Sequence, residues 1–322
     1  MTGRRTFLLT LLAAPVLGRA QSESARVGLL RFGNRASAAA WVEAFSTGMR
    51  DFGYREGKNL ALELRFADGE ADRLPALAAE LVRLKVQVIV ATDTPATRAA
   101  QLATGTIPIV MANVLNPVGS GFVSSLSRPG GNITGVSNMT SDLSPKHLEL
   151  LLALLPKLSG VAVLSNPANP GHQAVLKSIA VAGESAGIRV VPVEARSAEQ
   201  LESAFTSISR SRAGAVIIAV DAFFTQQIEQ IVRLAIRSRL PTIASLPDYA
   251  QHGCLLGYGQ DTEANYRLAA TYVHKILGGA KPSDLPVEQP TKIQLVVNLR
   301  TAKSVGVTVP RELLVRADRI IE

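Results

Sequence analysis

Residues 86–97 read Val86-Gln87-Val88-Ile89-Val90-Ala91-Thr92-Asp93-Thr94-Pro95-Ala96-Thr97. The first six form an almost continuous β-branched run, the pattern of a strand covered on both faces, as in parallel sheets. The next four are a polar turn, and residues 95–103 read as a helix behind it. A second apolar run follows at 107–111. Strand, turn, helix and strand in that order imply a right-handed crossover and a mostly parallel sheet.

Toward the N-terminus the same alternation continues. Residues 26–32 (Val27, Leu29, Leu30) form a compact apolar run ending at Gly33, and residues 38–52 place Trp41, Phe45 and Met49 at helical spacing before Gly53. Residues 60–66 put Leu60, Leu62, Leu64 and Phe66 on one face, which reads as a strand near a sheet edge. Residues 73–84 read as a helix. Toward the C-terminus the pattern restarts: helix 148–155, strand 161–164, helix 173–186 ended by Gly187, strand 189–193, helix 198–209, strand 215–220, helix 226–239 and short strands at 241–244 and 254–258. Between the two series, residues 113–144 read as loop-rich, with Gly119, Gly121, Pro129, Gly130, Gly131 and Gly135. A helix at 263–277 and a strand at 294–297 come last and are expected to pack onto the existing lobes.

The 322 residues allow two lobes of roughly 120–150 residues each. Hydrophobic residues at 47% and charged ones at 19% support large cores and exclude a disordered tail. Aromatics at 5% weaken a single-stranded nucleic-acid reading, which wants stacking platforms. The single cysteine, Cys254, excludes an internal disulfide framework and a Cys-rich zinc site, and reads as an inert core thiol. The formal net charge is +8; Arg4, Arg5 and Arg19 supply three of these charges, leaving +5 dispersed over the rest. No basic cluster points to nucleic acid.

Those three arginines belong to residues 1–20, which read as an export signal: Arg4-Arg5, an apolar stretch over 7–17, then Gly18-Arg19-Ala20. The stretch is too short to span a bilayer, which takes about 20 apolar residues. Arg4-Arg5-Thr6-Phe7-Leu8 resembles a twin-arginine signal; ordinary n-region charge of a general secretory signal is the alternative. A soluble, periplasmic product starting near Gln21 is expected.

In open parallel sheets ligands sit beyond the carboxyl ends of the strands. The loops there are Phe32-Gly33-Asn34, Thr92-Asp93-Thr94-Pro95 and Asn113 to Asn116 in the first half. The second half offers Ser165-Asn166-Pro167-Ala168-Asn169-Pro170, Asp221-Ala222-Phe223-Phe224 and Tyr258-Gly259-Gln260. Neutral hydrogen-bonding groups, two carboxylates and aromatic rings suit a small polar ligand. Thr94 is expected as an N-cap with Pro95 first in the helix, offering free backbone N–H groups to an anion; capping alone explains it equally well. Asp221 could pair with a ligand ammonium or cap the helix after Phe224. Phe223 and Phe224 diverge in direction, so one is expected in the core. Asn166 and Asn169 flank prolines, where turn formation is an equal explanation.

No catalytic constellation stands out. His147, His172, His252 and His274 are scattered and read as surface or helix-face residues, with no metal spacing. No nucleophile elbow, phosphate loop or dinucleotide fingerprint occurs. No catalytic residue, metal or cofactor is expected.

Asn116-Pro117-Val118-Gly119-Ser120-Gly121-Phe122-Val123, with Arg128-Pro129-Gly130-Gly131-Asn132-Ile133-Thr134-Gly135, resembles a signature of ABC-transporter substrate-binding proteins related to the tryptophan-type binding protein. So do Ser165 to Pro170, Tyr258-Gly259, Val287-Glu288-Gln289-Pro290-Thr291 and Asn298-Leu299-Arg300-Thr301-Ala302-Lys303. The segments match in order along the whole mature chain. The resemblance implies a type I periplasmic binding protein: an α/β fold of two Rossmann-like lobes with parallel sheets, joined by three crossovers, with ligand between them. It divides the chain into residues 25–136 with 260–288 and residues 137–259 with 289–322. Asn116 stands where the family commonly has an acidic residue and Asp93 where it has Gly, which moves charge within the cleft.

The resulting expectation is a receptor without chemistry of its own, a monomer, binding a small polar molecule such as an amino acid and docking on ABC permease subunits of the inner membrane. Thr92, Asp93 and Thr94 would take the anionic end, Asp221 the cationic end, and Phe32, Phe223 and Tyr258 the apolar part. Asn113, Asn116, Asn138, Asn166 and Asn169 would supply neutral hydrogen bonds. The rivals are a Rossmann-like enzyme acting on a phosphorylated or nucleotide substrate, the effector half of a transcription regulator, and a sensor subunit.

Overall fold

The computed structural model describes residues 24–322 except residue 170; the export-signal reading of residues 1–20 lies outside the described residues. The chain folds as β1 (Ala25–Arg31), α1 (Arg35–Asp51), β2 (Leu60–Phe66), α2 (Leu74–Arg83), β3 (Val88–Ala91), α3 (Thr94–Ala103), β4 (Ile109–Leu115), β5 (Ile133–Asn138) and α4 (Thr140–Leu154). There follow β6 (Gly160–Ser165), α5 (His172–Ala186), β7 (Arg189–Glu194), α6 (Ala198–Arg210), β8 (Val216–Ile218), α7 (Ala222–Gln226), α8 (Ile228–Arg237), β9 (Thr242–Ala244) and β10 (Leu256–Gln260). The chain closes with α9 (Thr262–Leu277), β11 (Ile293–Asn298), α10 (Leu299–Val305), α11 (Arg311–Arg316) and β12 (Arg319–Ile321).

Two sheets result. The first is five-stranded and parallel, in the order β2-β1-β3-β4-β5, with the half-buried β2 at its edge. The second has the order β12-β11-β10-β9-β8-β6-β7 and is parallel except for the antiparallel β10–β11 pair. All four residues of β3 are buried, as its β-branched composition demands of a central strand.

The chain passes from one sheet to the other three times: after β5, after β10, and over residues 289–292 ahead of β11. The last passage begins on the first sheet, where Glu288 exchanges backbone hydrogen bonds with Gly135 and Ser137 of β5. Helix α9 covers that sheet: Tyr266, Ala269, Ala270 and Val273 join Trp41, Phe45, Val88, Val90 and Val110 in one buried cluster. A second cluster lies under α4 and α5 with Val161, Val163, Ile217 and Val297.

Several expectations require correction. Residues 113–144 are not one loop: they contain β5 and the start of α4. Gly135 (φ 127°) disguises β5, and only glycine fits, because a Cβ there would stand 2.3 Å from the Met111 carbonyl oxygen. The helix expected over 226–239 is α8, and an unexpected short helix, α7, precedes it, starting right after Asp221 and set off by a break at Gln227 (φ −101°, ψ 12°). Past the late strand the chain adds α10, α11 and β12. His147 and His172 are buried, not on the surface.

Candidate ligand-binding site

The carboxyl ends of β1, β3, β4 and β8 face one another across a narrow cleft between the two sheets. The first lobe contributes Arg31, Trp41, Thr92, Asp93, Thr94, Asn113 and Leu115, and α9 adds Tyr266; the second contributes Asn169, Asp221, Thr225 and Leu246.

In the first lobe Asp93, and not Thr94, is the N-cap of α3. Its extended backbone lets Oδ1 accept from the Ala96 N–H at 2.9 Å, while Oδ2 accepts from the Phe32 N–H at 2.9 Å and the Thr92 hydroxyl at 3.3 Å. A carboxylate can serve the helix end and the neighbouring chain at once, which a threonine hydroxyl cannot. The N–H groups expected to await an anion are therefore partly answered by the protein's own carboxylate. Burial pushes the Asp93 carboxyl above the usual range, opposed by the Arg31 guanidinium and these hydrogen bonds.

Arg31 is 3% exposed. Its Nη1 donates to the Thr92 hydroxyl at 3.4 Å and the Tyr266 hydroxyl at 3.3 Å, and its Cζ lies 4.6 Å from the Trp41 ring centroid. Trp41 in turn stacks on Tyr266 at 5.9 Å and 23°. Nε of Arg31 has no hydrogen-bond partner, and no carboxylate among the described residues comes within the 4.0 Å of an ion pair. Asp93 acts on this buried cation only beyond ion-pair distance, so the guanidinium is a ready site for an anionic group entering the cleft.

In the second lobe Asp221 caps α7. Oδ1 accepts from the Phe223 N–H at 2.9 Å and Asn166 Nδ2 at 3.1 Å, and Oδ2 accepts from Asn169 Nδ2 at 2.9 Å. Both asparagines are held in turn, Asn166 Oδ1 accepting from the Ala168 N–H and Asn169 Oδ1 from the Gly171 N–H. His172 Nδ1 accepts from the Asn166 N–H at 2.8 Å, which leaves Nε2 to donate to the Val220 carbonyl at 2.9 Å. Every hydrogen-bond donor to Asp221 is neutral, and His172 Nε2 stands 3.9 Å from its Oδ2.

Asn113 enters the cleft because β4 bulges: register shifts between Ala112 and Val114, and Asn113 has φ 73°. Its Oδ1 accepts from Asn138 Nδ2 at 3.2 Å and Asn265 Nδ2 at 3.0 Å, so its own amide nitrogen remains to donate elsewhere. Two contacts close the lobes over the site. Trp41 Nε1 donates to Asp248 Oδ2 at 3.3 Å, and Gln226 Nε2 donates to the Asp68 carbonyl at 3.0 Å. Gln226 comes so close that a Cβ on Gly69 (φ 89°) would meet its Oε1 at 2.3 Å.

The cleft thus gathers Thr92, Asp93, Thr94, Asn113, Asn169 and Asp221. The other expected residues do not line it. Phe32 and Phe223 lie in the core, as does Phe224, so both adjacent rings are buried where one was expected. Gly33 is in the bend after β1, and Asn34 caps α1 through the Ser37 N–H. Asn116, at φ 44°, turns its chain by accepting from the Gly119 N–H. Asn138 and Asn166 stand one layer back, against Asn113 and Asp221. Tyr258 packs in the second cluster, its carbonyl accepting from His147 Nε2 at 2.8 Å. Burial drives His147 down to about 4 and the Cys254 thiol up to about 12. The residues missed are Arg31, Trp41, Tyr266, Thr225 and Leu246, while Leu115 falls within the Asn113 to Asn116 segment. Only Arg31 carried a local signal, a charge directly after the apolar run Val27 to Leu30 at the carboxyl end of β1.

Residues 26–321 match the model of a family described as ABC transporter substrate binding protein. A tyrosine-binding protein of Clostridioides difficile is 26% identical over 278 residues, covering 86% of this chain and 80% of that protein. Among solved structures, a conserved domain protein from Vibrio cholerae superposes with a TM-score of 0.88 at 28% identity, over 92% of this chain and 100% of that one. An ABC domain in complex with L-Trp from Streptococcus pneumoniae gives 0.87 at 24%, over 93% and 100%. A 5-methylthioribose transporter solute-binding protein from Thermotoga lettingae shares the fold at 0.62 and 14%, over 92% and 92%.

Proposed function

The chain belongs to the ABC transporter substrate-binding protein family, and from that premise we propose that its cleft captures an L-α-amino acid with an aromatic side chain. Members of the family are binding receptors that deliver small molecules to membrane permease components. The observation that carries the amino-acid reading is Arg31: a buried guanidinium lining the cleft, with no carboxylate within ion-pair distance and its Nε without a hydrogen-bond partner. The ligand carboxylate goes to Arg31. Its ammonium goes to Asp221, whose hydrogen-bond donors are all neutral. The aromatic side chain rests among Trp41, Tyr266, Leu115 and Leu246, and the Asn113 amide donates a neutral hydrogen bond. The tyrosine-binding relative supports this choice of side chain.

The finer frame belongs to the same proposal. Residues 1–20 direct export to the periplasm, by the twin-arginine or the general secretory route, and the mature receptor acts as a monomer, without nucleic acid and without altering its ligand. Its lobes comprise residues 25–136 with 260–288 and residues 137–259 with 289–322, a division supported by α9 covering the first sheet.

Titration calorimetry of the mature protein tests the ligand. L-Tyrosine, L-tryptophan or L-phenylalanine should bind at micromolar Kd or tighter, about −8 kcal/mol, and at 100 times Kd add about 2.7 kcal/mol of apparent stability. Tyramine and 3-(4-hydroxyphenyl)propionate, each lacking one charged end, should bind far more weakly. Binding of a sugar or nucleoside with no response to any amino acid would overturn the reading, and recovery of a converted compound would restore the enzyme alternative.

A further inference from the structure

The three passages between the lobes meet at one side chain. Gln260 ends β10, immediately before the second passage, and is buried. Its Oε1 accepts from the N–H of Met139, the residue joining β5 to α4 in the first passage, at 2.8 Å. Its Nε2 donates to the carbonyl of Pro290, in the third passage, at 2.6 Å. We infer that Gln260 is a positioning residue that ties the three passages into one joint and sets how far the lobes open and how fast they release a ligand.

Chemistry singles out glutamine here. Met139 presents a donor and Pro290 an acceptor, so the tie needs one acceptor and one donor on a single planar group; glutamate offers acceptors only. The neighbouring residue braces the second and third passages again. Asp261 donates its N–H to the Lys292 carbonyl at 3.1 Å, and its Oδ2 accepts from Lys292 Nζ at 2.6 Å and Gln294 Nε2 at 3.1 Å, while Oδ1 caps α9.

The joint is also wired to the cleft. Asn113 accepts from Asn138 Nδ2, and Asn138 Oδ1 accepts from the Thr140 N–H at 2.6 Å, so Asn138 grips the chain on the far side of Met139. Neutral carboxamides thus run from the ligand-facing Asn113 to Gln260. A ligand drawn onto Asn113 biases the same segment that Gln260 fastens.

The test uses the mature chain with Gln260→Ala and Gln260→Glu, and L-tyrosine as probe, so its ligand-dependent half rests on the amino-acid reading. Small-angle X-ray scattering reads opening, and stopped-flow fluorescence of Trp41, the single tryptophan, reads release. Gln260→Ala should enlarge the ligand-free particle and speed L-tyrosine dissociation by about fivefold or more, with Gln260→Glu intermediate. Wild-type scattering and dissociation in both variants would overturn the inference, even where melting temperatures fall, since a merely structural role moves only those. Should neither variant fold, hydrogen exchange of the wild type decides: the Met139 amide should exchange about 100-fold slower than free peptide, and an unprotected amide refutes the tie. If L-tyrosine leaves the wild type unaffected, the ligand reading fails, while ligand-free scattering and exchange still judge Gln260.

Discussion

Two aspartates occupy matching places in the two lobes. Asp93 follows β3 and caps α3; Asp221 follows β8 and caps α7. Their surroundings differ. Asp93 shares its lobe face with the Arg31 guanidinium, which opposes the effect of burial on it. Asp221 is held by two carboxamides and a backbone N–H, none charged. The same local device, a carboxylate capping a helix at a strand end, thus stands beside a guanidinium in one lobe and among neutral hydrogen-bond donors in the other. A zwitterion spanning them draws opposite lobes together, coupling recognition to closure.

Removing the cation should break this contrast most visibly. Arg31→Met should weaken L-tyrosine binding by about 100-fold or more, measured by calorimetry, yet leave tyramine binding nearly unchanged; an unaltered Kd for L-tyrosine would end the charge assignment. Next, Asp221→Asn keeps an acceptor for the Phe223 N–H and should cost about 10- to 100-fold for L-tyrosine, but little for 3-(4-hydroxyphenyl)propionate, which has no ammonium.

The equivalent change in the first lobe should act on folding instead. Asp93→Asn keeps the cap on Ala96 but sets an amide against the Phe32 N–H, losing about 1–2 kcal/mol in urea unfolding. Burial holds the Asp93 carboxyl above its ordinary 3.8, so the folded protein keeps this proton to higher pH than the unfolded chain does. The stability so contributed is complete below 3.8 and is lost as pH rises through the raised value. The deficit of Asp93→Asn should therefore grow as pH falls from 7 toward 4; a shrinking deficit would mean the carboxyl is held low. The smallest effect is expected from Trp41→Phe, which deletes the indole bond to Asp248: about fivefold in affinity, or 1 kcal/mol.

The fold was legible because its signals are local. The buried run over 86–91 and the alternating Leu60, Leu62, Leu64 and Phe66 announce a central and an edge strand from composition alone. Strand β5 was hidden because Gly135 owes its place to the close Met111 carbonyl, a contact 24 residues away that no window of sequence contains. The cleft was half legible for the same reason. Asp93 and Asp221 follow strands and Asn113 lies in a bulge near the end of one, where the topology rule finds them. Trp41 and Tyr266 sit on helices that read as ordinary core-facing helices, and they meet only because α9 returns to α1 across more than half the chain. The corrected cap follows from geometry as well: nothing in Thr92-Asp93-Thr94-Pro95 reveals that Phe32 supplies a second N–H to share.

That return of α9 has a consequence for biogenesis. Val88, Val90, Val110 and Phe45 share a buried cluster with Tyr266, Ala269 and Val273, so one oily side of the early sheet is covered only in part, by α1, until synthesis reaches the late segment that completes it. Long-range closure of this sort slows maturation and leaves a sticky intermediate, so the nascent chain offers chaperones a binding patch that the finished receptor no longer has.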